Sequence, residues 1–359
     1  QLWITPKRDM AVWFVYIYLL VQSSIQLSGI FTIYTAFLST WQHMHWMIVG
    51  LLLLVSVMTL GLFKRFHFMK PLPMFGIDWT GIVLWASTLL SFIFVLNYGE
   101  HYDWFDSVYI QTGLAFGLIS LGLNLWRATF IRHPLIELKT WTIRNVWLTF
   151  LLYILVDILL SPSHLFEHIY TEAILGYDSM HLATLNWVIT LGTAFGAFIA
   201  YRLFALKKWK YKTMTVIGFV FIATYLLSTY FIIDYHIPKG LLAVPLFLRG
   251  VGYVIIAITF ITALSGINFQ VFPQTLTIQA FVSACLGALL GSTVLHHLFN
   301  ITTKKNFILL SSGFDRVNQR IQHIPKGELF GALQQHSVMV SMKELYGWLC
   351  ILSLLSLLA

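Results

Sequence analysis

Charge is the scarcest property of this chain. Of 359 residues only 10% are Asp, Glu, Lys or Arg, while 58% are hydrophobic. An ordinary soluble domain carries about 25% charged residues. A soluble globule of this length could not hide so much apolar surface, so the composition reads as a polytopic membrane protein. Cysteine is nearly absent too. Cys285 and Cys350 both fall in apolar stretches, and neither a disulfide framework nor a zinc knuckle is suggested. The chain has no G-x-x-x-x-G-K-[ST] phosphate loop, no H-E-x-x-H pair and no Ser/His/Asp arrangement. An ATP-driven pump and an intramembrane enzyme are therefore not indicated, and no cofactor is expected. The ten-residue alternation of an outer-membrane barrel is missing as well. No signal peptide precedes the first apolar run, and the polar leader that opens at Gln1 reads as a truncation.

What is present is a series of long apolar runs. They cover residues 11–37, 44–62, 79–97, 107–126, 145–166, 181–204, 214–233, 241–264, 275–299 and 341–359. Each is long enough to cross a hydrocarbon core as a helix of about 20 residues. The basic residues fall between alternate runs. Lys7 and Arg8, then Lys64, Arg65 and Lys70, then Arg127, Arg132, Lys139 and Arg144, then Arg202, Lys207, Lys208, Lys210 and Lys212 all lie on one side. The short loops of the other side hold Lys239 and are acidic instead, with Glu100, Asp103, Asp106, Glu167, Glu172, Asp178 and Asp234. The positive-inside rule makes the first side cytoplasmic and puts both ends of the chain there. Residues 300–340 then form a long outer loop, whose charges count little. The net charge of +8 is thus topological and does not point to nucleic acid. Trp3, Trp41, Trp46, Trp79, Trp104 and Trp141 cluster near run ends, as an aromatic belt requires.

Two formally charged residues lie deep in these runs, Asp157 and Arg249. A charge at such depth is costly and marks a pathway or a pair. Counted from the run ends, Asp157 is ~18 Å deep from the cytoplasmic face and Arg249 ~12 Å deep from the outer face. In a core of ~30 Å the two levels coincide, so the spacing predicts an ion pair, either coupled to transport or merely structural. Tyr153 and Ser161 flank Asp157 at helical spacing, and Tyr253 follows Arg249. Asn186, Thr190 and Thr193, with Gln279 and Ser283, give two more polar stripes that suit either cavity lining or helix packing. Glu167, His168 and Glu172 read as solvated residues at the outer end of the fifth run, with a cation-attracting rim as the sharper alternative. His43, His45, His296 and His297 share the outer side, but without carboxylate or Cys spacing no metal site is expected. Gly192-Thr-Ala-Phe-Gly196 and Gly287-Ala-Leu-Leu-Gly291 are small-xxx-small motifs for close helix packing.

One stretch is specific. Asn97-Tyr-Gly-Glu-His-Tyr-Asp-Trp-Phe-Asp-Ser107 joins two runs and follows Phe75-Gly-Ile-Asp78-Trp-Thr-Gly81. It resembles the inserted helix pair of the fourteen-span drug:H⁺ antiporters of the major facilitator superfamily, the EmrB/QacA type. That pair has an (I/F)D-x-x-G start and a G-x-x-x-D-W-F-x-S outer loop, matched by Gly99, Asp103, Trp104, Phe105 and Ser107. Ile4-Thr-Pro-Lys-Arg8, His133-Pro134-Leu-Ile-Glu137-Leu, Arg144-Asn145 and Gly176-Tyr177 are similar to further family motifs in the same order. The antiporter motif G-P-x-x-G-G, in contrast, is not present at Ser28-Gly-Ile-Phe-Thr-Ile33, nor is N-x-P-x-G in the next run.

The resemblance implies an all-α major facilitator bundle that lacks its first four spans. Residues 1–63 would finish the N-terminal half, 64–126 would hold a cytoplasmic linker and the inserted pair, and 127–359 would form the C-terminal six-helix half. It implies an inner-membrane secondary transporter, alternating access, and proton-coupled export of amphipathic or cationic drugs, with a periplasmic adaptor and an outer-membrane channel as partners. The missing G-P-x-x-G-G keeps two alternatives open: an uptake or lipid-linked permease, and a non-transporting membrane scaffold.

Overall fold

The computed structural model describes residues 9–38, 41–62, 78–131, 134–235, 237–267, 272–312 and 326–358. Among them all regular structure is helical. The helices are α1 (Met10–Leu38), α2 (Trp41–Leu62), α3 (Trp79–Tyr98), α4 (Val108–Phe130), α5 (Leu138–Thr142), α6 (Arg144–Leu160), α7 (Pro162–His168), α8 (Ser179–Ile199), α9 (Tyr211–Ile232), α10 (Lys239–Ser265), α11 (Phe272–Phe281), α12 (Ala288–Ser312) and α13 (Lys326–Leu358). Wider π-helical segments carry α7 on through Ile169–Ile174, α8 through Ala200–Leu206, and α11 into α12 through Val282–Gly287. Nine of the described helical stretches are long and apolar enough to cross a membrane, which makes this a multi-pass membrane protein by length and composition. Helices are the expected outcome, because in lipid each backbone N–H and C=O must be satisfied within its own segment. The leader with Lys7 and Arg8, the loop of Lys64, Arg65 and Lys70, and His133 lie outside the described residues.

Most expected runs match helices to within a few residues, but two expectations need correction. The fifth run does not stop near residue 166. The backbone continues from Arg144 to Ile174 as one long span, passing Pro162, which sits in the first turn of α7 where its missing N–H costs least. The ninth run is helical throughout, passing from α11 through the π segment into α12. Finally, the long loop expected at residues 300–340 is helical wherever it is described. α12 stays helical to Ser312, and α13 resumes at Lys326. At 33 residues α13 is ~50 Å long, against a hydrocarbon core of ~30 Å. The helical extensions are tied together by polar contacts: Asn306 Nδ2 donates to Ser341 Oγ at 2.9 Å and Lys305 Nζ to Glu344 Oε1 at 3.4 Å.

The main core gathers residues of α6, α8, α9, α10, α12 and α13, among them Phe150, Leu159, Ile222, Ile256 and Met342. α10 is the most buried helix, held between α8 and α9 by small residues. A Cβ on Gly196 would lie 2.7 Å from the Val251 carbonyl oxygen, and one on Gly250 would lie 2.8 Å from that of Ile189. Gly192 is pressed against the Phe247 backbone in the same way. On the other side, a Cβ on Gly252 would lie 3.0 Å from the Gly218 carbonyl oxygen. α1 packs on α8 and α10, and α2 touches α1 with none of its described residues buried.

The pair α3–α4 begins at a built corner. Asp78 caps α3, its Oδ1 accepting from the Gly81 N–H at 2.9 Å, and a Cβ at residue 81 would strike that carboxylate. The D-x-x-G spacing is therefore a cap with a steric condition. Arg127 of α4 donates to the same oxygen at 2.5 Å, and the Leu135 N–H donates to Oδ2 at 3.1 Å. Burial alone would push the Asp78 carboxyl up. The Arg127 guanidinium and the two backbone donors outweigh it and hold it below its usual value.

Gly250→Ala is expected to destabilise the protein by about 1–3 kcal/mol, the usual result of overpacking. Gly122→Ala, where nothing lies within 4 Å, is expected to be neutral or slightly stabilising. Thermal unfolding of both in detergent distinguishes them. Because the Asp78 carboxyl is depressed in the folded state, its contribution is complete above the unfolded value of about 3.9. That contribution is lost as pH falls through the lower folded value. Acid is therefore expected to loosen the first turn of α3, measured as faster amide exchange at residues 79–82, and Asp78→Asn is expected to remove this acid dependence.

Candidate functional site

The long span through Glu167 changes the depth arithmetic. From its Ile174 end, Glu167 is ~10 Å deep and Asp157 ~25 Å. From the same end of the bundle, Arg249 lies ten residues into α10, at ~15 Å. The level of Arg249 is thus that of Glu167, and the structure pairs them. Arg249 Nη1 lies 2.5 Å from Glu167 Oε2, with both side chains largely buried (14% and 23% exposed). The Tyr225 hydroxyl of α9 donates to Glu167 Oε1 at 3.0 Å. Tyr346 of α13 completes the surroundings of the carboxylate. The expected Asp157–Arg249 pair does not form, because the fifth span ends eight residues later than its hydropathy suggests.

This cluster faces a cavity of about 260 Å³. Its lining includes Ile33 of α1, Glu167 and His168, Asn186 of α8, Tyr225 and Tyr346. Pro162 and the π segment after His168 set the direction of Glu167. Thr171 Oγ1 donates to the Glu167 carbonyl at 2.6 Å, tying that turn. Nearby, the Tyr170 hydroxyl donates to the Asp234 carbonyl at 2.6 Å and fixes the rim between this span and the end of α9. Each oxygen of the Glu167 carboxylate accepts one bond, from a guanidinium and a phenol, so a cation in the cavity would compete with Arg249 for it.

Asp157 belongs to a second cluster. It approaches Tyr153 one turn away and Tyr253 of α10, while Tyr18 and Gln22 of α1 face Tyr153 and Tyr253. Its Oδ2 is buried with no hydrogen-bond partner. The carboxylate lies directly on Gly287 in the π segment, where any Cβ would collide with it. Tyr153 spends its hydroxyl on the Ala257 carbonyl at 3.4 Å. Asp157 is thus a buried carboxylate without a counter-ion, on the seam between α1 and the α6–α10–α12 side of the bundle.

The other expected site residues divide among these features. Tyr153 and Tyr253 join Asp157, so Tyr253 does not serve Arg249 although it follows it by one turn. Asn186 lines the cavity of Glu167 and faces Gly29 of α1. Ser161 is buried under Gly291 and donates to the Ile158 carbonyl at 2.7 Å, away from the carboxylate. Gln279 is buried on α11. Gly192 and Gly196 form the α8–α10 crossing, and Gly287 and Gly291 the contact with α6. Of the histidines expected on the outer side, His296 faces Glu100 and His297 packs edge-on against Trp104. Among the described residues no three His, Cys, Asp or Glu side chains converge as metal ligands. Sequence reasoning missed Tyr225, Tyr346, Tyr18 and Gln22, which a single sequence cannot assign to a shared site. It undervalued Glu167, for which the apolar stretch resuming at Ile169 was the available signal.

No family model matches the chain, and no curated protein matches it.

Removing one partner of a buried ion pair strands the other, at a cost of about 3–5 kcal/mol, whereas removing both costs far less. Glu167→Leu and Arg249→Leu are each expected to lower the melting temperature sharply. The double variant is expected to recover most of the loss. Additive losses in this double-mutant cycle would show that the pair is not coupled.

Proposed function

We propose that the chain forms the larger part of an inner-membrane secondary transporter that exports amphipathic or cationic compounds at the expense of the proton gradient. The observation that carries this reading is the presence of two chemically different carboxylates inside one apolar bundle. Glu167 is paired and faces a cavity, and Asp157 is unpaired on a helix seam. A bundle built only for packing gains nothing from either. In this reading a cationic substrate in the cavity takes the place of Arg249 on Glu167, and its apolar part lies along Leu185, Ile189 and Leu246. Asp157 takes up a proton when the seam is open to one side and gives it up when open to the other. Alternating access would rock α1 and α2, as the end of an N-terminal half, against the six-helix half from residue 127 onward.

The basic loops support an orientation with both ends of the chain in the cytoplasm. The resemblance to the fourteen-span drug antiporters supports export, the pair α3–α4 as the insertion, and an adaptor and outer-membrane channel as partners. One observation favours a second reading. Where the antiporter motif would lie, α1 carries Gly29 against Asn186 but no Pro and no second Gly. That suits a permease with a different cycle.

The test is transport by the intact protein in proteoliposomes under an imposed proton gradient, with tetraphenylphosphonium as substrate. Asp157→Asn is expected to abolish uphill transport and to leave downhill exchange. Glu167→Gln is expected to weaken the apparent affinity for the cation about tenfold or more, as loss of a charged partner does. Undiminished uphill transport by Asp157→Asn would remove Asp157 from coupling. Failure of the native protein to move the cation in either direction would favour the permease reading.

A further inference from the structure

The cavity beside Glu167 has more polar groups in its wall than the ion pair uses, and each of their hydrogen bonds can be followed. The Tyr225 hydroxyl donates to Glu167, and Tyr346 is bonded to Tyr225. The Tyr170 hydroxyl donates to the Asp234 carbonyl and accepts from the Asp234 N–H at 3.1 Å. Thr171 and Thr229 spend their hydroxyl protons on carbonyls one turn back, those of Glu167 and Tyr225. His168 is turned to solvent, 67% exposed, with Nδ1 3.0 Å from Glu172.

Asn186 of α8 differs from all of these. It lines the same cavity, and among the described residues its carboxamide has no hydrogen-bond partner. The amide nitrogen lies over Gly29 of α1, where a Cβ would come within 3.6 Å of it. A carboxamide offers two donors and an acceptor oxygen, and leaving them unmade in an apolar setting costs free energy. Asn is also a poor helix former. Neither packing nor backbone propensity recommends it here, between Leu185 and Ile189 in the cavity wall. Its hydrogen-bonding capacity is left for whatever enters the cavity.

We propose that Asn186 determines specificity in the cavity read above as a substrate site. The occupant is then an ammonium ion that carries a second hydrogen-bonding group, a hydroxyl or carboxamide, on a short apolar body. The ammonium goes to Glu167 in competition with Arg249, the body lies along Leu185, Ile189 and Leu246, and the second group bonds to Asn186. A hydroxyl both donates and accepts, so it suits either orientation of the amide.

The experiment is calorimetric titration of the purified protein in detergent with tyramine hydrochloride and with phenethylamine hydrochloride, which differ by one hydroxyl. Tyramine is expected to bind about tenfold more tightly. Asn186→Leu is expected to bind both amines equally. Its melting temperature is expected to equal or exceed that of the native protein, because no protein hydrogen bond is lost. Asn186→Ala is expected to remove the preference as well, and it answers if Asn186→Leu does not fold. Glu167→Gln is expected to weaken both amines alike. The proposal is overturned if the native protein binds neither amine or binds the two equally, or if a folded Asn186 variant keeps the preference. A fall in melting temperature for Asn186→Leu with the preference intact would make Asn186 a packing residue and overturn it too. Equal binding by a protein that still moves tetraphenylphosphonium uphill overturns the role of Asn186 and leaves the transport reading standing. A preference that depends on Asn186, in a protein that moves no cation, supports the role of Asn186 and removes the transport reading.

Discussion

A guanidinium inside an apolar bundle must be neutralised where it stands, and much of this structure follows from that constraint. Arg249 sits on the most buried helix, next to Gly250 and Gly252, whose missing side chains let α8 and α9 close on either side of it. Close packing excludes water, and that raises the cost of an unpaired charge. The answer is Glu167, brought to the same depth by a span that continues past a proline. Tyr225 takes the carboxylate oxygen that Arg249 leaves free. Tight crossing and ion pair thus depend on each other: the glycines create the low dielectric, and the pair makes it tolerable.

The helices were legible because their signal is crude and repeated. An apolar run of about 20 residues can hardly be anything else in lipid, and α3, expected at 79–97, runs from Trp79 to Tyr98. The failures all occur where polarity and backbone disagree. Ser161, Pro162, Ser163 and Glu167 lower the hydropathy of a stretch that remains helical, so the fifth span was ended too early. The error then passed to the site, since a shift of eight residues is ~12 Å of depth and exchanges one carboxylate for another. Thr302, Thr303, Lys304 and Lys305 likewise read as loop although α12 continues through them to Ser312. The π segments left no trace in the periodicity, yet one of them places Gly287 against Asp157.

The corner at Asp78 shows the opposite case, in which a short motif states its own physics. A carboxylate caps the helix, the glycine three residues on leaves room for it, and an arginine from the returning helix shares it. The cap and its glycine are three residues apart, and the sequence showed them only as part of a resemblance, whereas the arginine comes from the next helix, forty-nine residues along the chain. The far end of the same helix pair is held by Asn300, Thr293 and His297 of α12, almost two hundred residues along the chain. Contacts of that kind depend on how whole helices are placed. No single sequence reveals them, although each participating helix was identified.

The two inner carboxylates are set apart by what a proton would do at each. Loss of the Glu167 charge would strand Arg249 in the apolar interior. Protonating Asp157 would remove a buried charge and sacrifice no ion pair, since its Oδ2 has no partner to lose. The two carboxylates therefore differ in what each would lose with its charge, an ion pair at one and none at the other. In the proposed transport reading a cation tells them apart as well. It can take over the role of Arg249 at Glu167, beside a cavity with room for it, whereas Asp157 is pressed against Gly287 and ringed by tyrosines. In the proposed transport reading, selectivity between proton and cation needs no gate at either residue. It follows from one carboxylate having a counter-ion and space, and the other having neither.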